Sequence, residues 1–285
     1  MSGLSQIVEK APLGAFFVFS LFCCQIWADC RLAESQNAQA VQIQQVVDGD
    51  TVRLEDGRKV RVLGINTPEM GPGKPAQPLA EAGRAALQAL LKPNPVYLVA
   101  GEVSHDRYGR VLGHLYDRQG NNITAALLEQ GWGFQVAIPP NLAHEPCYRA
   151  AQQRARLARA GVWGHHFYRA KPASSIELAG GYGRITGTVE SVSLSKKSIW
   201  VELEGQVTLK LEKRYARHLA GPLLDKVVAL SRQVGPFEVQ IEAQGWLSDR
   251  LTWQGTMPER VKNGQAKRFQ MKIQHNSAWS SASIP

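Results

Sequence analysis

"VVDGDTVRLEDGRKVRVLGINTPEM", residues 46–70, is the stretch whose reading decides the fold. Residues 51–65 alternate apolar and polar side chains in two runs joined by "EDGR", where Asp56-Gly57 is a strong hairpin signal. Asp48 and Asp50 stand at the mouth of the first strand, and a spacing of two puts both side chains on one side of an extended chain. Asn66, Thr67 and Glu69 stand at the mouth of the last strand, in "INTPE", where Pro68 fixes the turn and aims Glu69 back into the same space. If these strands are neighbours, Asp50, Asn66 and the Thr67 carbonyl can share one hard cation. A donor set made of oxygen, with little nitrogen or sulfur, is what calcium prefers.

Beyond this hairpin, "VQIQQVV", "PVYLVAG" and "VLGHLYD" read as further strands. Helices are expected over 79–92, which stops before Pro93, over 123–131, which ends at Gly131, and over 145–160, a basic helix ending at Gly161. Short strands interleaved with three helices indicate an α+β domain, a small barrel with helices at its ends.

Arg61 lies between the two acidic mouths, and Arg110 closes a second cluster, "HDRYGR". Two arginines can grip a phosphate by forked hydrogen bonds and stabilise charge on a five-coordinate phosphorus. A cation draws charge from a phosphate oxygen, and a glutamate can deprotonate or orient the attacking water. The combination suits phosphodiester hydrolysis. Taken singly, "DGDT", "NTPE" and "DRYGR" read equally well as plain turns; their order and spacing carry the argument.

In order along the chain, "VVDGDTVRL", "RVLGINTPE", "DRYGR", "LLEQGW" and the basic helix ending in "GVWG" resemble the thermonuclease or staphylococcal-nuclease-like family over about residues 41–166. The resemblance implies a five-stranded barrel of the oligonucleotide-binding (OB) type with three helices. It also implies calcium-dependent hydrolysis of DNA and RNA, leaving a 3′-phosphate. Carried over by position, Arg61, Glu69 and Arg110 are the catalytic set and Tyr108 and Arg107 bind substrate. Asp50, Asn66 and Thr67 hold Ca2+, with Asp48 in its outer shell. Asn66 replaces a family aspartate, and an uncharged amide predicts looser calcium binding or use of another divalent ion. The family's tyrosine-bearing stretch reads "WGFQVAIPPN" here, so base stacking falls to Phe134 or Trp132, or to neither.

The chain divides on this reading into an N-terminal apolar segment (1–28), a linker (29–40), the nuclease-like domain (41–170), a second linker (171–183), a smaller barrel (184–278) and a tail (279–285). The second barrel is expected from its element order, and "EVQIEAQGWLSDR" and "FQMKIQHNSA" resemble OB-type domains that follow nuclease domains in some exported bacterial proteins. Lys196, Lys197, Lys210, Lys213, Arg214, Arg217, Arg250 and Arg268, with Trp246 and Trp253, either line a single-strand groove or simply coat the surface and fill the core. His165, His166, His218 and His275 have no metal-ligand spacing.

At 44% hydrophobic residues the chain can pack a core, which excludes global disorder. Net charge is +9, with −1 from residues 1–40, +4 from 41–170 and +6 from 171–285, so the excess belongs to the folded part and suits a polyanionic partner such as DNA or RNA. Lys10, an apolar run and Ala28 form an export-signal pattern, cleaved or retained as an anchor, which places the body outside the cytoplasm, periplasmic or secreted. Cys23 and Cys24 lie in that segment; Cys30 and Cys147 remain, as a disulfide or as two unrelated thiols. Two rivals to a nuclease stand beside it: a non-catalytic nucleic-acid-binding module, and an envelope scaffold of tandem OB folds. Oligomeric state leaves no trace in the sequence.

Overall fold

Val52, Leu54, Val60 and Val62 are all but fully buried, every second residue of a hairpin whose other face is polar. Gly57 takes a positive φ of 87° at its turn, as the Asp-Gly pair predicts. The structure, a computed structural model, describes residues 30–33, 37–71, 73, 75–92, 95–233, 235 and 237–282. The apolar segment expected as an export signal lies outside them. Among the described residues, no helix is long and apolar enough to cross a membrane.

The first half contains β1 (Gln39–Val41), β2 (Ile43–Val46), β3 (Thr51–Leu54), β4 (Lys59–Val62), β5 (Ile65–Asn66), α1 (Ala80–Leu91), β6 (Val96–His105), β7 (Val111–Tyr116), α2 (Ile123–Glu129), β8 (Phe134–Gln135) and α3 (Glu145–Leu157). The three helices fall where the sequence places them. The expected closed five-stranded barrel does not form. The main sheet has six strands in the order β1-β6-β7-β4-β3-β2, is curled and stays open, and β5 pairs separately with β8. Its edges β1 and β2 are consecutive pieces of chain, parted at Gln42. One pairs with β6 and the other with β3, through a register shift between Ile43 and Gln45. The sheet therefore bends round on itself without a hydrogen-bonded seam. Its concave face buries Leu87 and Leu91 of α1 and Leu127 and Leu128 of α2 in one core.

Cys30 and Cys147 form a disulfide, with their Cα atoms 5.9 Å apart. A buried polar network lies beneath α3: His114 Nδ1 meets the Tyr148 hydroxyl at 2.8 Å, and Asn122 Nδ2 donates to the same oxygen at 3.1 Å. Burial first, and the neighbouring His144 second, push the His114 imidazole down to about 3. Its folded value lies below the unfolded 6.5, so protons bind the unfolded chain first and this contribution to stability is lost as pH falls from about 6.5 toward 3. Asp48, raised to about 6 chiefly by burial, acts in the opposite direction, so the effect is read as a difference between variants. Between pH 7 and pH 5 the parent is expected to lose on the order of 2 kcal/mol more than His114→Gln in denaturant melts. Parallel pH curves for the two proteins would contradict this.

The second half contains β9 (Lys171–Pro172), β10 (Gly181–Leu194), β11 (Ser198–Leu203), β12 (Val207–Glu212), α4 (Ala216–Leu219), α5 (Pro222–Leu230), β13 (Gln240–Asp249), α6 (Met257–Lys262), β14 (Phe269–Ile273) and β15 (Trp279–Ser281). Five of these strands close a barrel in the order β13-β14-β12-β11-β10, because β10 also pairs with β13. Every ladder of the ring is antiparallel except β12 with β14. Val201, Leu209, Ile241, Met271 and Ile273 fill a second, separate core. β9 adds in parallel to β10 and β15 to β13, so residues 171–172 and 279–281 are part of this sheet.

The outward row of β13 docks this barrel on the first half. Glu242 accepts from Arg184 Nη2 at 2.7 Å within the barrel and from Arg156 Nη2 of α3 at 2.9 Å across the junction. Gln244 Nε2 donates to the Gln135 carbonyl at 3.1 Å. Burial pushes the Glu242 carboxyl up, but the two arginines outweigh it and hold it below the usual range.

Candidate active site

The β3–β4 register pairs Thr51 with Arg61, which sets Arg61 beside Asp50. Arg61 Nη2 lies 3.1 Å from Asp50 Oδ2 and donates to Asn66 Oδ1 at 3.3 Å; its Nη1 donates to the Val62 carbonyl at 2.6 Å. Asp50 Oδ2 also accepts from the Thr67 amide at 2.8 Å and its hydroxyl at 3.0 Å, and Oδ1 accepts from the Thr51 hydroxyl at 3.2 Å. Gly49 permits this closeness, since a Cβ there would stand 2.7 Å from Thr67 Oγ1. Asp48 Oδ1 accepts from the Asp50 amide at 3.0 Å. The two acidic mouths therefore meet, and Asp50, Asn66 and Thr67 are buried there.

Whether these residues suit a divalent cation can be judged from their donors and from Asp48. Burial first, and the Asp50 charge second, push the Asp48 carboxyl up to about 6, against the opposing pull of the Asp50 amide, Arg61 and Thr51. Crowded carboxylates with little water are what a bound cation relieves. Among the described residues, no three His, Cys, Asp or Glu side chains gather into a metal centre. A cation here would depend on the Asn66 amide oxygen and the Thr67 carbonyl as well as on Asp48 and Asp50. That all-oxygen set fits a hard ion such as calcium.

Arg110 sits at the β6–β7 hairpin. Asp106 accepts from its Nε at 2.8 Å and from the amides of Tyr108 at 2.9 Å and Arg110 at 3.0 Å. This grip through Nε leaves the two outer nitrogens of Arg110 for an acceptor in the cleft. Arg107 Nη2 donates to the Tyr108 hydroxyl at 2.5 Å, and its guanidinium lies 4.7 Å from the centre of the Tyr108 ring, which is 68% exposed. Arg61, Arg107, Tyr108 and Arg110 line one cleft of about 530 Å3.

Glu69 follows the buried turn, with its amide on Gln77 Oε1 at 3.0 Å. The residue is exposed, yet crowding around its carboxyl, then the Asp50 charge, holds it above the ordinary value, while Arg61 and Arg110 pull it down. Glu69 thus lies within electrostatic reach of Asp50 and both arginines.

The expectations for base stacking change. Phe134 is buried, 5.2 Å from the Trp163 ring and 5.5 Å from Tyr182, and Trp132 packs against the core. Neither lines the cleft. Arg250 is also not in a groove: it is buried in the second barrel, donating to the Lys267 carbonyl at 3.1 Å and to Gln270 Oε1 at 3.3 Å. Lys196, Lys197, Lys210, Lys213 and Arg214 do share one surface depression. Trp246 of β13, one of the groove candidates of the second barrel, lines the cleft of the first half instead.

Residues 59–165 match the family described as staphylococcal nuclease homologue. The matched span contains Arg61, Asn66, Thr67, Glu69 and Arg110, and begins after Asp48 and Asp50. The chain is 29% identical over 127 residues to a thermonuclease of Staphylococcus intermedius, covering 42% of this chain and 74% of that protein. It is 27% identical over 133 residues to an uncharacterized endonuclease of Escherichia coli, covering 43% and 75%. It is 28% identical over 156 residues to endonuclease YhcR of Bacillus subtilis, covering 48% of this chain and only 13% of that protein.

Proposed function

We propose that the protein is an exported nuclease that hydrolyses phosphodiester bonds of DNA or RNA with the help of a divalent cation. The observation that carries the reading is the cleft that Arg61 and Arg110 line together, with Asp50 joining Arg61 to the Thr67 turn that leads to Glu69. The likeness of residues 59–165 to nucleases supports it. So does the disulfide, which fits an oxidising compartment outside the cytoplasm.

In this reading Arg61 and Arg110 hold the non-bridging oxygens of the scissile phosphate and stabilise the charge that builds as phosphorus becomes five-coordinate. Glu69 takes a proton from the attacking water. The bond from phosphorus to the 5′ oxygen breaks, that oxygen takes up a proton, and a 3′-phosphate remains. Calcium, held by Asp50, Asn66 and the Thr67 carbonyl with Asp48 close by, would supply further charge neutralisation at the phosphate. Asp50 also fixes Arg61, so the same carboxylate would serve the ion and the guanidinium.

The test is incubation of residues 29–285 with plasmid DNA across a calcium titration, followed by a chelator. Cutting that rises with calcium and stops on chelation supports the reading; plasmid, single-stranded DNA and RNA that all stay intact at every concentration refute it. In the same assay Asn66→Asp adds a charged ligand beside Asp48 and Asp50 and is expected to lower the calcium midpoint about tenfold. Equal midpoints would remove Asn66 from the ion's ligands.

A further inference from the structure

Period-two alternation along β13 points Ile241, Ala243 and Leu247 into the barrel and turns Glu242, Gln244 and Trp246 outward. Glu242 and Gln244 are used in docking, on Arg156 and on the Gln135 carbonyl. Trp246 is the next residue of that row. It extends past the docking contacts into the cleft that Arg61 and Arg110 line. Trp246 is 43% exposed, a large area for a tryptophan. Its orientation is set from behind by Tyr182, its register partner in β10, whose ring lies 4.9 Å away at 82°. Tyr108, Val136 and Ile138 line the same cleft. A cleft lined by guanidinium groups and by aromatic and apolar side chains offers partners for both parts of a nucleotide, a phosphate and a base.

Resting on the nuclease reading, we propose that Trp246, supplied by the second barrel, stacks on an unpaired base next to the scissile phosphate, and so makes the second barrel part of the substrate site. A base inside a duplex has both faces covered and cannot reach the indole, so the preferred substrate is a single strand or a locally opened one. This gives the second barrel a role through its outward docking row.

The experiment is steady-state cleavage of a single-stranded oligonucleotide by the full protein and its Trp246 variants. Trp246→Ala is expected to raise KM about tenfold or more, with a smaller fall in kcat, because stacking on an aromatic side chain contributes chiefly to binding. Trp246→Phe should recover most of the loss. Trp246→Leu, which keeps apolar bulk without a ring, should behave like alanine, separating stacking from packing at the junction even if the alanine variant folds poorly. A KM for Trp246→Leu within about twofold of the parent overturns the inference, and leaves the nuclease reading intact as long as the parent cuts. If the parent binds the oligonucleotide without cutting it, the nuclease reading fails. Fluorescence anisotropy then decides the inference by itself: tenfold weaker binding by Trp246→Leu supports it and unchanged binding overturns it.

Discussion

Glu69→Gln is expected to cut DNA at least about 100-fold more slowly than the parent while binding it almost as well. The substitution keeps the size of the side chain and the backbone contact with Gln77, which runs through the Glu69 amide at 3.0 Å. It removes the negative charge together with the ability to accept a proton. The carboxyl is already held above its ordinary value by crowding and by Asp50, so its neutral form costs the fold little and the variant should melt with the parent. Arg61 would make a poorer test. Its guanidinium lies 3.1 Å from the buried Asp50 carboxylate, and truncating it would leave that charge uncompensated and disturb the proposed cation site at once. Single-turnover cleavage of a labelled oligonucleotide, with binding measured separately, isolates the chemical step. A Glu69→Gln protein that cuts at the parental rate would exclude Glu69 as the base and leave water activation to another group.

What was legible in the sequence was what local periodicity records. Alternation fixed the β3–β4 hairpin, and its Asp-Gly turn fixed the register that sets Thr51 opposite Arg61. That register sets Arg61 beside Asp50; Asn66 and Thr67 join them from β5 and the turn after it, which the sequence offered only if the strands were neighbours. The open edge of the first sheet was not legible, because it depends on a break at Gln42 and a register shift near Ile43, neither of which alters composition. β6 runs on to His105, past the expected end near Gly101, and its outer half is largely exposed on both faces, so no alternation marks it. α6 has no buried residue and therefore no apolar stripe to betray it. The role of Trp246 was hidden for a different reason. The sequence left it either in a groove or in the core, and the docking of Glu242 and Gln244 determines what it faces. Local signals reached the site's acidic and guanidinium groups, which lie on adjacent strands, and missed the wall built by a distant one.

Replacing both Cys30 and Cys147 by alanine is expected to cost the first half about 3–5 kcal/mol, the upper part of the range for a disulfide, since the loop it closes is long. The two residues are separated by 117 positions, so the bond links the chain leading into β1 to α3, across nearly the whole of the first core. Near Cys30, the Leu32 amide also meets the Gly120 carbonyl at 2.8 Å and Arg31 Nη2 meets the Gln119 carbonyl at 2.7 Å. Without the bond, the unfolded chain regains its loop entropy. The expected drop in melting temperature is about 10–20 °C for a unit of this size. The second barrel has its own core, which contains neither cysteine, so calorimetry should register the fall in one transition and little change in the other. Reductant added to the parent should reproduce the shift, since it breaks the same bond without altering side-chain volume. A double variant that melts within about 2 °C of the oxidised parent would mean that the open edge of the first sheet is held by packing alone, and that the disulfide contributes nothing beyond it.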